Sequence, residues 1–378
     1  MPRKLCSLSA AKRRRKSAPT TTFRRCILPA TSLSAMSSGT QLGWHPAQSE
    51  AISGGESFQP SVTLAVCTRN RPRHLNRCLE QLSQLGYPHF EVLVVENAPL
   101  DEKTRQVASS WRVCYEVEPE AGLSRARNRA ASLARTELIA YLDDDALPEP
   151  SWVRDLAAPF RDPEVMAVAG RVIPCGDTEL ERAAANVRGT SSRGTVGNDE
   201  LRIFSRHTES WFILAGFGAV GIGANMAFRR SAFTFWPGFD ERLGSGGVLY
   251  AAEEYHAFLE LIRRGKRVVY TPHAVVRHPY APGAGEDLRR RYLSSCRGVG
   301  AYLAYLLAEY PEHTVETLGY AARRLLGGPS VRNDAKVVRP EGVTAWSTAW
   351  ALCSGPVVYW REGRKAPAFR ERPPLLAS

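Results

Sequence analysis

Several common signatures are missing from this chain. Its eight cysteines (Cys6, Cys26, Cys67, Cys78, Cys114, Cys175, Cys296 and Cys353) are scattered, with no CxxC pair and no clustered histidines beside them. That spacing argues against a zinc site and a disulfide framework, and it favours a reducing compartment. No GxGxxG follows a predicted strand and no GxxxxGK[ST] occurs, so dinucleotide and Walker-type phosphate sites are unsupported. No internal repeat is visible. Acid is scarce at the start, where Glu50 is the first carboxylate, and no long apolar run follows the early basic residues, which makes a poor secretory signal.

Of the formal net charge of +12, a net +7 falls within residues 1–60, leaving only about +5 for the rest, so the charge does not call for a nucleic-acid-binding core. The N-terminal stretch fits either an Arg/Ser-rich transit peptide or a disordered basic tail with translation starting at Met36. The second reading is the expectation. At 44% hydrophobic and 23% charged, the 378 residues can build a sizeable core.

Ordered patterning begins at Ser61. SVTLAVCTRN reads as a strand running into a polar loop. HLNRCLEQLSQL carries a helical stripe of Leu75, Cys78, Leu79, Leu82 and Leu85, and FEVLVVENAP is a second strand. Strand and helix continue to alternate through VCYEV, GLSRARNRAASLAR, IAYLDDDALP, WVRDLAAPF and VMAVAGRVIP. This order predicts a parallel sheet with helices on both faces, whose ligands bind beyond the carboxyl ends of the strands. Thr68–Arg69–Asn70, Glu96–Asn97 and Asp143–Asp145 all fall at those ends. Residues 176–200, rich in Gly, Ser, Thr and Asn, read as a loop over the site.

Two stretches lack charge. Ser210–Phe228 holds four glycines and reads as soluble core. Gly342–Trp360 contains three tryptophans, is interrupted by Ser, Thr and a Gly–Pro pair, and is followed by Arg-Glu-Gly-Arg-Lys. It fits a segment lying at a membrane interface, or equally a helix packed on the rest of the protein.

The polar clusters suggest chemistry. On an extended strand Asp143 and Asp145 point one way and Asp144 the other. Two convergent carboxylates suit Mg²⁺ or Mn²⁺, to which His278 of VVRH could add an imidazole. Alone, the three aspartates also fit a solvated acidic loop. In AEEYHAFLELIRRG, Glu253 and Glu254 open a helix, where its dipole favours them. Glu254 is also a candidate general base, with Glu253 capping or orienting it and raising its pKa by repulsion. Arg125 and Asn128 lie three apart on one helix face, suited to phosphate or ribose, with Arg127 and Arg129 placed elsewhere. Thr68, Arg69, Arg71 and Glu96 could grip a nucleoside.

Together SVTLAVCTRNRP, EVLVVENAP, GLSRARNRA, AYLDDDALPEPSWV, GANMAFRR, GFDERLGSG, AEEYHAFLELIRRG and VVRH resemble, in order, the inverting family-2 glycosyltransferases over residues 61–280. The resemblance implies an α/β GT-A fold, the nucleotide-diphospho-sugar transferase type. Its Rossmann-like, mostly parallel sheet would be flanked by helices, with a helical C-terminal extension. The implied division is a disordered tail (1–58), a GT-A domain (59–285) and an extension (286–378) that could be membrane-interfacial.

The resemblance further implies that Thr68, Arg71, Glu96 and Arg125, with Asn128, line a nucleotide pocket. Asp143 and Asp145 match the metal-binding DXD motif, with Asp144 on the nucleotide side and His278 a late metal-site position. Glu254 falls at the base, and Asn225 and Asp240, with Glu253, fall near the acceptor. Two departures stand out. Ala252–Glu254 reads Ala-Glu-Glu where relatives have Gly-Glu-Asp, and Glu96 replaces a more usual Asp. The expected partners are a UDP- or GDP-linked sugar donor and a hydroxyl acceptor, saccharide or glycolipid, with no nucleic acid. The expected setting is cytoplasmic, at the inner membrane face if the Trp segment touches lipid. A nucleotidyltransferase would need a Gly-rich loop that CTRNRPRHL lacks, and a non-catalytic sugar-nucleotide-binding protein is the other alternative.

Overall fold

The computed structural model describes residues 58–175, 200–250, 252–279, 288–331 and 339–377. All but the last residue of the predicted tail (1–58) and of the predicted site loop (176–200) lie outside the described residues.

The apolar runs become strands of one nine-stranded sheet. β1 (Val62–Thr68), β2 (Phe90–Asn97), β3 (Cys114–Glu118) and β4 (Leu138–Asp143) form a parallel half in the order β3-β2-β1-β4. Strands covered on both faces need no polar alternation, so β1 and β4 are almost continuously buried. Ala65 faces one apolar cluster while Val62, Leu64 and Val66 face the other. Between the strands run α1 (Pro72–Leu82), α2 (Lys103–Ser110) and α3 (Leu123–Leu133). Helix α1 starts on Pro72, whose missing N–H costs nothing there, and buries the predicted stripe of Leu75, Cys78, Leu79 and Leu82. Register puts Thr68 beside Glu96 and Cys67 beside Asp143, so the polar strand ends share one edge.

The second half departs from uniform parallel winding. It contains β5 (Leu147–Pro148), α4 (Trp152–Ala157), β6 (Val165–Pro174), β7 (Arg202–Phe204), α5 (Trp211–Gly216), β8 (Asn225–Arg229), α6 (Glu253–Arg263) and β9 (Arg267–His278). β8 is inserted antiparallel between β4 and β6, while β6 and β9 pair in parallel. The sheet is therefore mixed and mostly parallel, with helices on its faces and a helical C-terminal region, as the GT-A resemblance implied. Ser210–Phe228 packs into the interior, with Phe212, Ala215, Val220, Met226 and Phe228 buried.

Three further helices follow: α7 (Leu288–Glu309), α8 (Thr314–Leu325) and α9 (Ala345–Arg361). They are fastened by buried polar bonds. The Arg242 guanidinium donates to Asp240 at 2.6 Å, to Glu309 at 2.7 Å and to the Gly363 carbonyl at 3.1 Å. His256 of α6 shares hydrogen bonds with the hydroxyls of Tyr310 (2.7 Å) and Tyr305 (2.8 Å), and burial pushes it down to about 4. The Phe369 amide donates to Glu309 at 3.0 Å, and the amides of Leu375 and Leu376 donate to the carbonyls of Trp236 and Phe233. Helix α9 packs against α7 at close range, where a Cβ on Gly355 would sit 2.3 Å from the Ala301 nitrogen. Among the described residues no helix is long and apolar enough to cross a membrane.

Candidate active site

At the carboxyl edge of β1 and β4 lies a cleft of about 360 Å³. Thr68, Arg69, Arg71, Asp143, Asp144, Asp145 and His278 line it, together with Asn97, Leu123, Ser245, Gly246 and Tyr250. Strand β4 stops at Asp143, and Asp144–Asp145 belong to a turn instead of continuing the pleat. The turn still separates the three carboxylates. Asp144 is directed at β1, accepting from the Thr68 hydroxyl and the Arg71 guanidinium, both at 2.6 Å. Burial pushes its carboxyl up to about 7 against the pull of Arg71. Arg71 also holds Asp145, at 2.6 Å.

Asp143 and Asp145 converge on the buried His278 of β9, with Nε2 at 3.4 Å and 3.1 Å from their oxygens. One donor atom from each of the three residues lies within 4.8 Å of the others. Two hard carboxylate oxygens and one imidazole nitrogen form a donor set that fits Mg²⁺ or Mn²⁺. Burial works to raise the Asp143 pKa, but His278 and Arg127 overcome it and hold this carboxyl below its ordinary range.

The residue that sequence reasoning set aside stands at the centre. Arg127 is 2% exposed. Its guanidinium reaches Glu253 at 2.7 Å, the Gly223 carbonyl at 3.1 Å and Asp143 at 3.7 Å. The signal was present in GLSRARNRAASLA, because Leu123, Arg127, Ala130, Ala131 and Ala134 fall on one helical stripe. An arginine on an otherwise apolar stripe is buried with a partner.

Arg125 points the other way, half-exposed, and pairs with Glu241 at 2.8 Å and Glu120 at 3.1 Å. Asn128 bonds both the amide and the carbonyl of Phe239 at 2.8 Å, so it pins the turn before Asp240 and leaves nothing for a ribose. Neither residue is among those lining the cleft, so the structure does not bring them to the predicted nucleotide pocket.

Two acceptor assignments are corrected in the same way. Asn225 is fully buried, accepting from the Trp152 indole at 2.8 Å and donating to the carbonyls of Ala274 (2.8 Å) and Arg171 (2.9 Å). Asp240 is fully buried beneath Arg242 and the Tyr305 hydroxyl. Both side chains are spent on internal bonds. Glu96 is likewise buried beneath the edge instead of lining the cleft, with one oxygen accepting from the Tyr115 hydroxyl at 2.5 Å and the other unpartnered. Asn97 reaches the cleft in its place, after clamping the Gly122 amide at 2.8 Å.

Glu253 and Glu254 open α6 immediately after Ala252, whose φ of 66° turns the chain sharply. Glu253 is occupied by Arg127. Glu254 accepts a long 3.4 Å bond from the Gly223 amide. Burial, then repulsion from Glu253, pushes its carboxyl up to about 8. It stands behind the lining residues, joined to Asp143 through Gly223 and Arg127.

Comparison with known proteins gives the chain relatives. The model for glycosyl transferase family 2 matches residues 63–235. That stretch, a little under half of the chain, is a family-2 glycosyltransferase domain. The matched domain marks the protein as an enzyme that transfers sugars. It is 26% identical over 227 residues to a glucosyl-dolichyl phosphate glucuronosyltransferase of Haloferax volcanii, covering 57% of this chain and 68% of that protein. It is 26% identical over 256 residues to a pre-mycofactocin glycosyltransferase of Mycobacterium tuberculosis, covering 67% of this chain and 49% of that one. The chain thus spans about two thirds of the first relative's length and half of the second's. Among solved structures, it aligns with a mannosyltransferase from Pyrobaculum calidifontis in complex with GDP-Man and Mn²⁺. That alignment has 19% identity and a TM-score of 0.45, covering 85% of this chain and 79% of that one.

Proposed function

We propose that this glycosyltransferase moves a sugar from a UDP- or GDP-linked donor onto an acceptor hydroxyl with inversion, in the synthesis of a cell-surface polysaccharide or glycolipid. The observation that carries the reading is the convergence of Asp143, Asp145 and His278 beside a cleft lined by Thr68, Arg69 and Arg71. The relative named for acting on a glucosyl-dolichyl phosphate supports a lipid-linked acceptor.

Asp143, Asp145 and His278 would hold Mg²⁺ or Mn²⁺, which when bound supplies positive charge for diphosphate oxygens. Arg71 fixes Asp144 and Asp145 by its two bonds, so these carboxylates are positioned before donor arrives. Arg69, exposed at the cleft, is placed for the outer phosphate. Glu254 takes the proton from the attacking hydroxyl as the acceptor oxygen bonds to the anomeric carbon from the face opposite the leaving diphosphate. Glu253, held by Arg127, orients the start of α6. A carboxyl with a raised pKa accepts that proton more readily than an ordinary one.

The test is a panel of nucleoside diphosphate sugars with Mn²⁺ and candidate acceptors, following release of the nucleoside diphosphate and the anomeric configuration of the product. Failure of every UDP- and GDP-sugar, or a product of retained configuration, refutes the proposal.

A further inference from the structure

Helix α9 is inside out. A surface helix normally turns its charged residues to water and its apolar stripe inward. Here the inward stripe is Ala351, Gly355 and Tyr359, while the outward stripe is Trp346 (84% exposed), Trp350 (73%), Val357 (54%) and Trp360 (64%). The spacing of four, seven and three residues keeps them on one line, about 21 Å long from first to last at helical rise. Arg361 is the only charged residue in the helix. The helix cannot roll to hide its indoles. Gly355 and Gly300 let α9 and α7 meet backbone to backbone, with the Leu352 carbonyl against Gly300.

We propose that this outward face rests on an anionic lipid surface, with α9 lying parallel to the membrane. Its charge argues for lipid over a second copy of the chain. Arg361, Arg364 and Lys365 are all exposed at the end of the stripe, opposed there only by Glu362. Apolar indoles flanked by cations match the layering of an anionic bilayer, where rings settle at headgroup depth and cations meet phosphate. With no charge along its sixteen other positions and no spanning length, the helix suits lying on a membrane and not crossing it. This inference is independent of which sugar is transferred.

The full-length protein is mixed with phosphatidylcholine/phosphatidylglycerol vesicles whose acyl chains are brominated, and both sedimentation and tryptophan emission are read. The expected result is co-sedimentation, with emission quenched toward the share of three tryptophans among the eight in the chain. The variant W346F/W350F/W360F keeps co-sedimenting but loses that quenching. R361E/R364E/K365E loses the preference for phosphatidylglycerol over phosphatidylcholine by on the order of tenfold or more. Absence of co-sedimentation overturns the proposal, as does co-sedimentation without quenching, which would place the contact in the basic N-terminal stretch. Equal quenching in the Phe variant also overturns it. So does self-association without lipid that W346S/W350S/W360S abolishes, which would assign the face to a second copy.

Discussion

Replacing Arg127 with Met tests whether the metal-facing edge and the start of α6 are mechanically one unit. Met preserves the apolar stem of the side chain while deleting its charge. Three contacts disappear at once: Glu253 at 2.7 Å, the Gly223 carbonyl at 3.1 Å and Asp143 at 3.7 Å. Arg127 is 2% and Glu253 7% exposed, so water cannot replace the lost partner. Breaking a buried pair from one side costs about 3–5 kcal/mol, most of it the stranded charge. Glu254 compounds the loss, because Arg127 is the cation that opposes its upward shift. The destabilisation should therefore be larger at pH 8.5 than at pH 6, where Glu254 can hold a proton. The measurement is urea unfolding at both pH values for R127M, E253Q and the double variant. Removing both charges should leave the double variant about 1–3 kcal/mol more stable than the sum of the single losses requires. If the two losses add to within about 0.5 kcal/mol, or if R127M costs less than about 1 kcal/mol, the coupling described here is wrong.

Three other expectations concern the site and the extension. Glu254→Gln should lower kcat by about 10²–10⁴-fold while leaving donor affinity within a few fold, and wild-type kcat/KM should climb with pH to about 8 as the base ionises. Because the folded protein holds that proton more tightly than the unfolded chain, the stability it contributes is complete below pH 4.5 and is lost as pH rises through about 8. The variant should thus gain on the wild type across that window in melts at successive pH. Asp145→Ala, or treatment with EDTA, should abolish transfer, with Mn²⁺ restoring only the chelated wild type; full activity in the presence of EDTA would refute the cation. Gly355→Ala forces apart two backbones that meet within van der Waals range and should cost at least about 1–3 kcal/mol in a thermal melt.

Strand ends were legible in the sequence because a buried parallel strand is a continuous apolar run, and its first polar residue marks the edge. Thr68 and Asp143 were located that way. The turn at Asp144–Asp145 was not, and in it Arg71 holds both carboxylates while Thr68 bonds Asp144 alone. Arg127 was passed over because charge was counted without asking which helical stripe each arginine occupied. Asn225 and Asp240 went astray for another reason. A polar residue in a recurrent motif can recur for holding the scaffold, and only bond partners such as the Trp152 indole and Arg242 tell the two roles apart. The antiparallel entry of β8 was also invisible, since direction leaves no trace in a five-residue segment.

The attachment of residues 369–376 to Phe233, Trp236 and Glu309 bears on how the molecule matures. Trp236 leaves the ribosome well over a hundred residues before that stretch, so the ground beside Phe233 and Trp236 stays uncovered until residues 369–376 have been made. A protease that removed that stretch from the finished protein would return it to the same unfinished condition, with Glu309 deprived of the Phe369 amide.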